Sequence, residues 1–274
     1  MSNNEGIAKL LFDLSSESRL DILRELNLHS LKMNEIARKL DLTATENFRH
    51  LQRLSKIGLI QKLPDGNYIL SEIGKLTLQF LPALEFIFKN KEYFLDHDIW
   101  RLPYQFVNRI GELSGATLSM DVIENINHAA QVMAEAEKFV WGLGDKAMEF
   151  VDPAMAKAMT SGVKFRYIFP ESMLPKYKPK VDEMANVEKR TLSTIPAVIF
   201  CTEKEAAICL PTSAGRLDYA GFFGKDPMFV NWTKELFEFY WNRGQRCFPK
   251  QALFSKTYKR GNPINSKQGE LIWV

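Results

Sequence analysis

Two hydrophobic periods follow one another between Met33 and Leu70. Ile36, Ala37 and Leu40 recur at i, i+1 and i+4, which predicts a short helix with one apolar side. Asp41-Leu42 then makes a tight turn, and Thr43 with Glu46 has the T-x-x-E order of a capping box that opens a second helix. Gly58 is placed to end that helix. In projection about Leu51, residues Leu54, Asn47, Phe48, Ala44 and Gly58 fall within about 60° of a buried centre. Arg49, Arg53, Glu46, Lys56 and Thr45 fall on the opposite side. The period then changes to two. Leu59 to Leu63 and Tyr68 to Leu70 are short alternating runs around the turn Pro64-Asp65-Gly66-Asn67, which predicts a β-hairpin.

Helical patterns flank this unit. One runs from about Ile7 to Leu14 and a second from Ser16 or Glu17 to Leu28. After the hairpin, Ser71 is placed to cap a longer helix running towards Leu95, with Ile73, Leu76, Phe80, Leu84 and Ile87 as one seam. Leu78, Leu81, Phe86 and Phe88 lie away from that seam, and Pro82 is expected to kink the helix. A helix with two apolar faces needs a second cover, either the same helix of another subunit or packing within one subunit. A linker crosses His97 to Pro103. From Gly115 onward short β-like runs alternate with helices: Ala116 to Ser119, Phe139 to Gly142, Val163 to Phe169, Ala197 to Cys201 and Ala206 to Leu210 read as strands. Asp121 to Ala136, Pro153 to Ser161, Met173 to Val187 and Asp226 to Asn242 read as helices. That alternation predicts an α/β domain with helices on a mostly parallel sheet.

Helix, turn, helix and hairpin in that order describe a winged helix-turn-helix, a shape that fits the major groove of double-stranded DNA. The expected class is an α+β N-terminal winged helix-turn-helix joined by a long helix to a C-terminal α/β sensor domain. The division is 1–72 for DNA binding, 73–114 for a dimerisation helix and linker, 115–247 for the sensor and 248–274 for a basic extension. Thr45, Arg49 and Arg53 are placed to read base edges, a guanidinium gripping guanine O6 and N7, while Lys56 and Lys62 would hold phosphates. Thr43, His50 and the hairpin-tip residue Asn67 complete the set. The hairpin can also serve only to cover the helical core. Paired long helices would supply the two-fold symmetry that reads half-sites one turn, ~34 Å, apart.

The chain has 274 residues, room for two cored domains. A formal net charge of +3 permits a local DNA patch and argues against a polybasic binder. The three cysteines, Cys201, Cys209 and Cys247, have no metal-ligand spacing, and read as small apolar residues of a reduced protein. Cys201 and Cys209 could also face each other across a hairpin turning near Glu205. The apolar stretch Leu76 to Phe88 is too short and too interrupted to span a bilayer, and no signal peptide is read before the first helix, so a cytoplasmic location is expected. Beyond Arg243 the residues Arg246, Lys250, Lys256, Lys259, Arg260 and Lys267 precede any acid, a possible second contact with DNA.

His97-Asp98-Ile99, Pro103 and Arg109-Ile110-Gly111-Glu112-Leu113 resemble the domain-joining signature of archaeal winged-helix regulators that carry a methanogenesis-regulator (FilR-type) sensor domain. Gly162 to Glu171, Asp218-Tyr219-Ala220-Gly221-Phe222-Phe223, Asp226-Pro227, Trp232 and Leu236 to Trp241 match it further, so the resemblance spans Ile7 to Gly244. It implies an archaeal transcription regulator whose C-terminal domain senses a signal. The segment from Leu42-Thr43 to Arg49-His50-Leu51 also resembles ArsR-type regulators, departing from them at Asn47 and Phe48 and lacking their metal-binding cysteines.

Related archaeal sensors can resemble a phospholipase D half-domain, whose chemistry needs lysine two residues after a histidine. None of His29, His50, His97 and His128 has one. Gly142-Leu143-Gly144-Asp145 faintly echoes a phosphate-cradling turn but lacks a third glycine and a lysine-threonine pair, so a tight β-to-α connection is the plainer reading. No enzyme, cofactor or metal is expected. A small effector would sit beyond the C-terminal ends of parallel strands, near Gly142, Gly144, Asp145 and Glu171, with Tyr219, Phe222 and Phe223 as walls or as core. The reading is a homodimeric, signal-controlled DNA-binding regulator. A protein-interaction module and an α/β-domain enzyme are the alternatives.

Overall fold

The computed structural model describes residues 3–145, 162–176 and 186–246. Its first part runs α1 (Asn3–Leu14), α2 (Glu17–Leu28), β1 (Leu31–Lys32), α3 (Met33–Lys39), α4 (Ala44–Lys56), β2 (Ile60–Lys62) and β3 (Asn67–Leu70). The strands form an antiparallel sheet in the order β1-β3-β2, with Leu31 opposite Tyr68 and Ile60 opposite Leu70. Ile22, Leu23, Ile36, Leu51, Leu54 and Leu59 bury together under this sheet. Strand β1 was not anticipated, because two residues are too few to display a period.

The end of α4 is tied to the start of the next helix. Gly58 takes φ +79, its N–H reaches the Ser55 carbonyl at 3.0 Å and that of Leu59 reaches Leu54 at 3.0 Å, a Schellman close. Ser71 then donates its N–H to the Leu59 carbonyl and its hydroxyl to the Gly58 carbonyl, while its Oγ accepts from Gly74 N at 3.0 Å. It thereby caps α5 (Glu72–Lys89). A Cβ on Gly74 would sit 2.1 Å from the Leu59 carbonyl oxygen, so only glycine allows this approach.

Helix α5 continues through Pro82 and ends at Asn90, where α6 (Lys91–Asp96) begins, so the expected single helix to Leu95 is two. Leu78 and Leu81 pack on the first core, whereas Ala83, Phe86 and Ile87 pack on a second. The expected seam is mostly bare: Ile73, Leu76, Phe80 and Leu84 are 61%, 58%, 72% and 47% exposed. On the other face Phe88 is exposed too. After α6, α7 (Tyr104–Val107) and two 3-10 turns carry Leu102, Phe106, Ile110 and Leu113 into the second core.

That core lies on an eight-stranded sheet built from β4 (Thr117–Ser119), β5 (Phe139–Leu143), β6 (Lys164–Pro170), β7 (Val187–Leu192), β8 (Val198–Thr202), β9 (Ala206–Cys209), β10 (Gly221–Gly224) and β11 (Gln245–Arg246). Their order is β11-β7-β6-β5-β8-β9-β10-β4. Successive residues of β5 face opposite sides. Val140 packs with Met133 of α8 (Val122–Ala134), and Leu143 packs with Trp232 and Phe237 of α9 (Pro227–Trp241), so the two helices cover opposite faces.

Only β5-β6 and β6-β7 pair in parallel, while the other five pairings are antiparallel. The expected mostly parallel sheet is therefore a mixed one. Strand β8 returns into β9 through a turn over 203–205, too short for a parallel crossover. The helix expected over Met173 to Val187 is overturned at both described ends, a 3-10 turn over Glu171–Lys176 and strand β7 from Val187. Its middle, the helix expected at Pro153 to Ser161, Cys247 and the basic extension lie outside the described residues. Cys201 sits opposite Ala206 and Cys209 opposite Val198, so the two thiols are not cross-strand partners. Burial pushes the Cys201 thiol up to about 12, as suits an inert apolar residue. Among the described residues no helix is long and apolar enough to cross a membrane.

Replacing Gly74 with alanine is expected to destabilise the fold by roughly 1–3 kcal/mol, because backbone has to move. A thermal melt unchanged in Gly74→Ala would show that α5 is not held against Leu59.

Candidate nucleic-acid interface

The helix after the turn is built as its sequence implies. Thr43 Oγ1 accepts from Glu46 N at 3.3 Å and the Glu46 carboxylate accepts from Thr43 N at 3.2 Å. Asp41 takes φ +51 to make the turn. Asn47, Leu51 and Leu54 are buried, the Asn47 amide donating to the Met33 carbonyl at 2.7 Å. These three centre the buried face about 35° from Leu51. That rotation has two consequences for α4. Phe48, expected inward, is 47% exposed, and Gln52, overlooked by centring on Leu51 alone, is brought out beside Arg49. Ala44, also expected inward, is exposed in the first turn.

Thr45, Arg49, Gln52 and Lys56 form an exposed strip along α4. Arg49 makes no ion pair with the described residues and is available to an outside acceptor. Arg53 is not in that state. Its Nε donates to Asp13 Oδ1 at 3.1 Å, and its guanidinium lies 5.2 Å from the Phe12 ring centroid. Asp13 is buried, and Arg19 of α2 holds its carbonyl and, at 3.1 Å, that of Phe12. The expected pair of equivalent arginines is thus one free group and one held by α1. Thr43 is engaged in the cap. His50 is half-buried, with Nδ1 lacking a hydrogen-bond partner, so its place in the expected set is beside Arg19 and Arg53 rather than on the outer strip.

On the hairpin Lys62 is exposed, its ammonium 5.7 Å from the Tyr68 ring. Asn67 is turned back into the loop, donating its side-chain amide to Asp65 at 2.8 Å and its backbone N–H to the same carboxylate at 2.9 Å. An Asx turn of this kind shapes the tip, and Lys62 stands exposed at the end of β2 beside it.

The expected effector residues gather in part. The Tyr219 hydroxyl donates to Asp145 Oδ1 at 2.7 Å, and the Tyr167 hydroxyl donates to the Gly144 carbonyl at 3.4 Å. Tyr219 holds φ +65, unusual for an aromatic residue. A Cβ on Gly142 would meet the Tyr167 ring at 2.7 Å, so this glycine makes room for a side chain rather than for a phosphate. Glu171 opens the 3-10 turn that follows β6. Phe222 is fully buried, with ring centroids 4.9 Å from both Phe86 and Tyr93, and is core rather than crevice wall. The motif residues His97 and Asp218 pair at 2.9 Å, with the His97 ring stacked on Tyr93. They clamp α6 to the loop before β10.

No protein-family model and no curated protein matches the chain. Among solved structures it is similar to TrmBL2, an archaeal chromatin protein, at 19% identity and TM-score 0.42, covering 82% of this chain and 91% of that one. It is also similar to NucT from Helicobacter pylori at 11% identity and TM-score 0.38, over 48% of this chain and 96% of that one. Scores below 0.5 describe partial geometric likeness only.

Burial pushes the His50 imidazole below its ordinary value, and the positive charges of Arg19 and Arg53 add to this against Glu46. As pH falls below about 6.5 the unfolded chain takes up this proton more readily than the native one, so stability declines. The loss between about pH 7.5 and about pH 5 is expected to be smaller in His50→Gln. Identical declines in melting temperature would place His50 in an ordinary environment.

Proposed function

We propose that the chain is a DNA-binding regulator that lays α4, the second helix of a winged helix-turn-helix, in the major groove. The observation that carries this is the outward strip Thr45, Arg49, Gln52 and Lys56, in which Arg49 makes no ion pair with the described residues, beside a hairpin with Lys62 next to its tip. Arginine and glutamine are the side chains that grip guanine and adenine edges bidentately, and an exposed phenylalanine such as Phe48 suits a thymine methyl. The lysines supply phosphate contacts.

Dimerisation belongs to the same reading. The stripe Ile73, Leu76, Phe80 and Leu84 leaves an apolar face on α5, and a second α5 is its natural cover. Control by a signal at the C-terminal half is the third element. Tyr219, strained and bonded to Asp145, adjoins Asp218, which holds His97 and through it α6. A ligand engaging Asp145 would therefore act on the junction with α5.

Arg49→Ala is expected to lose roughly 1–3 kcal/mol of discrimination between a cognate and a scrambled duplex, whereas Lys56→Ala weakens both equally and lowers the salt slope by about one. Gel shifts at several salt concentrations separate these outcomes. Absence of salt-dependent retention in the unaltered protein would end the DNA reading. Phe80→Glu is expected to shift the chain to monomer in sedimentation without unfolding it, since the side chain is exposed.

A further inference from the structure

The outer end of the large sheet gathers charge of one sign. Arg190 of β7 and Arg246 of β11 are direct cross-strand partners, so both side chains leave the same face. Arg166 of β6 shares that face, its guanidinium 5.2 Å from the Trp241 ring centroid, with Arg190 4.5 Å from the same ring. Like charges directly opposite in an antiparallel pair are destabilising. Burial, Arg246 and Arg166 hold Arg190 below the ordinary arginine value against the opposing charge of Glu188. The Arg190 Nη1 donates to the Trp241 carbonyl, while its buried Nε has no hydrogen-bond acceptor among the described residues.

Among the described residues, two acids stand near the group. Glu188 and Glu238 each stand 3.8 Å from Arg166, beyond hydrogen-bond length. From Arg166 the face opens into a groove of about 810 Å³ whose walls include Lys138, Lys164, Phe139 and Trp141. Lys138, Lys164 and Arg166 line this groove with Glu188, Lys234 stands over its Phe139 and Trp141 rings, and Arg190 and Arg246 continue the positive face beyond Arg166.

We propose that this face binds phosphate. Planar guanidinium forks match phosphate oxygens bidentately, and a bound anion would relieve the Arg190–Arg246 repulsion that folding imposes. Cations interleaved with aromatic rings suit a phosphate carried on a larger body, either a phosphorylated small molecule or a nucleic-acid strand. The site is separate from α4 and stands whether or not α4 reads DNA.

The full chain can be titrated with inorganic pyrophosphate and, separately, with a short DNA duplex, following tryptophan emission from Trp141 and Trp241 beside Arg166. A saturable change is expected with at least one of them. Arg246→Ala, an exposed edge-strand change, and Arg166→Ala should each weaken that binding roughly tenfold or more, the loss of one charge-assisted contact. Arg246→Ala should also raise the melting temperature of the unliganded protein. A pyrophosphate response assigns the site to phosphorylated small molecules. A duplex response that persists in Arg49→Ala and fails in Arg246→Ala assigns it to nucleic acid. No saturable response to either ligand, or unaltered affinity in both arginine variants, overturns the proposal.

Discussion

Gly74 lies against the Leu59 carbonyl oxygen, closer than any side chain at that position would allow. Because residue 74 has no side chain, α5 starts flush against the turn that ends α4, with Ser71 bonded to Gly58, Leu59 and Gly74 at once. The other end of the same helix is buried through Phe86 among Tyr93, Phe94 and Phe222. One helix therefore belongs to two hydrophobic cores. A shift of α5 relative to the large sheet would be delivered to α4 through backbone bonds, not through a flexible linker.

Charge is distributed against local stability in two places. On α4, Arg53 is held over Phe12 by the buried Asp13, while Arg49 a turn earlier makes no ion pair with the described residues. A dry carboxylate with a positioned guanidinium fixes the pose of α1 against α4. At the sheet edge, Arg166, Arg190 and Arg246 share a face near which, among the described residues, two acids stand. The two positive surfaces differ in kind: one is a convex helix strip, the other a groove with aromatic walls.

Local signals were legible where a few neighbouring residues decide the outcome. Thr43 with Glu46, Gly58 as a C′ residue, Ser71 as a cap and Asp226-Pro227 at the start of α9 were all apparent from the chain, since caps depend on side chains three or four positions away. The runs of β5, β6, β8 and β9 were equally plain. Strand β7 was not, because Val187 to Leu192 carries Glu188, Lys189 and Arg190 and has no apolar alternation to show. Centring the projection of α4 on Leu51 placed Phe48 inward, whereas Asn47, reaching the Met33 carbonyl, draws the buried face to its own side.

The helices and hairpin of the first 70 residues, the runs of β5, β6, β8 and β9, and the caps of α4, α5 and α9 came from sequence alone, as did the positive character of the outer side of α4, because each is set by interactions within one turn or one strand. Tertiary structure decided strand direction, the division of α5 between two cores, the capture of Arg53 by Asp13 and the meeting of three arginines at the sheet edge. Those outcomes join residues far apart in the chain, where burial and backbone approach, not periodicity, choose the partner.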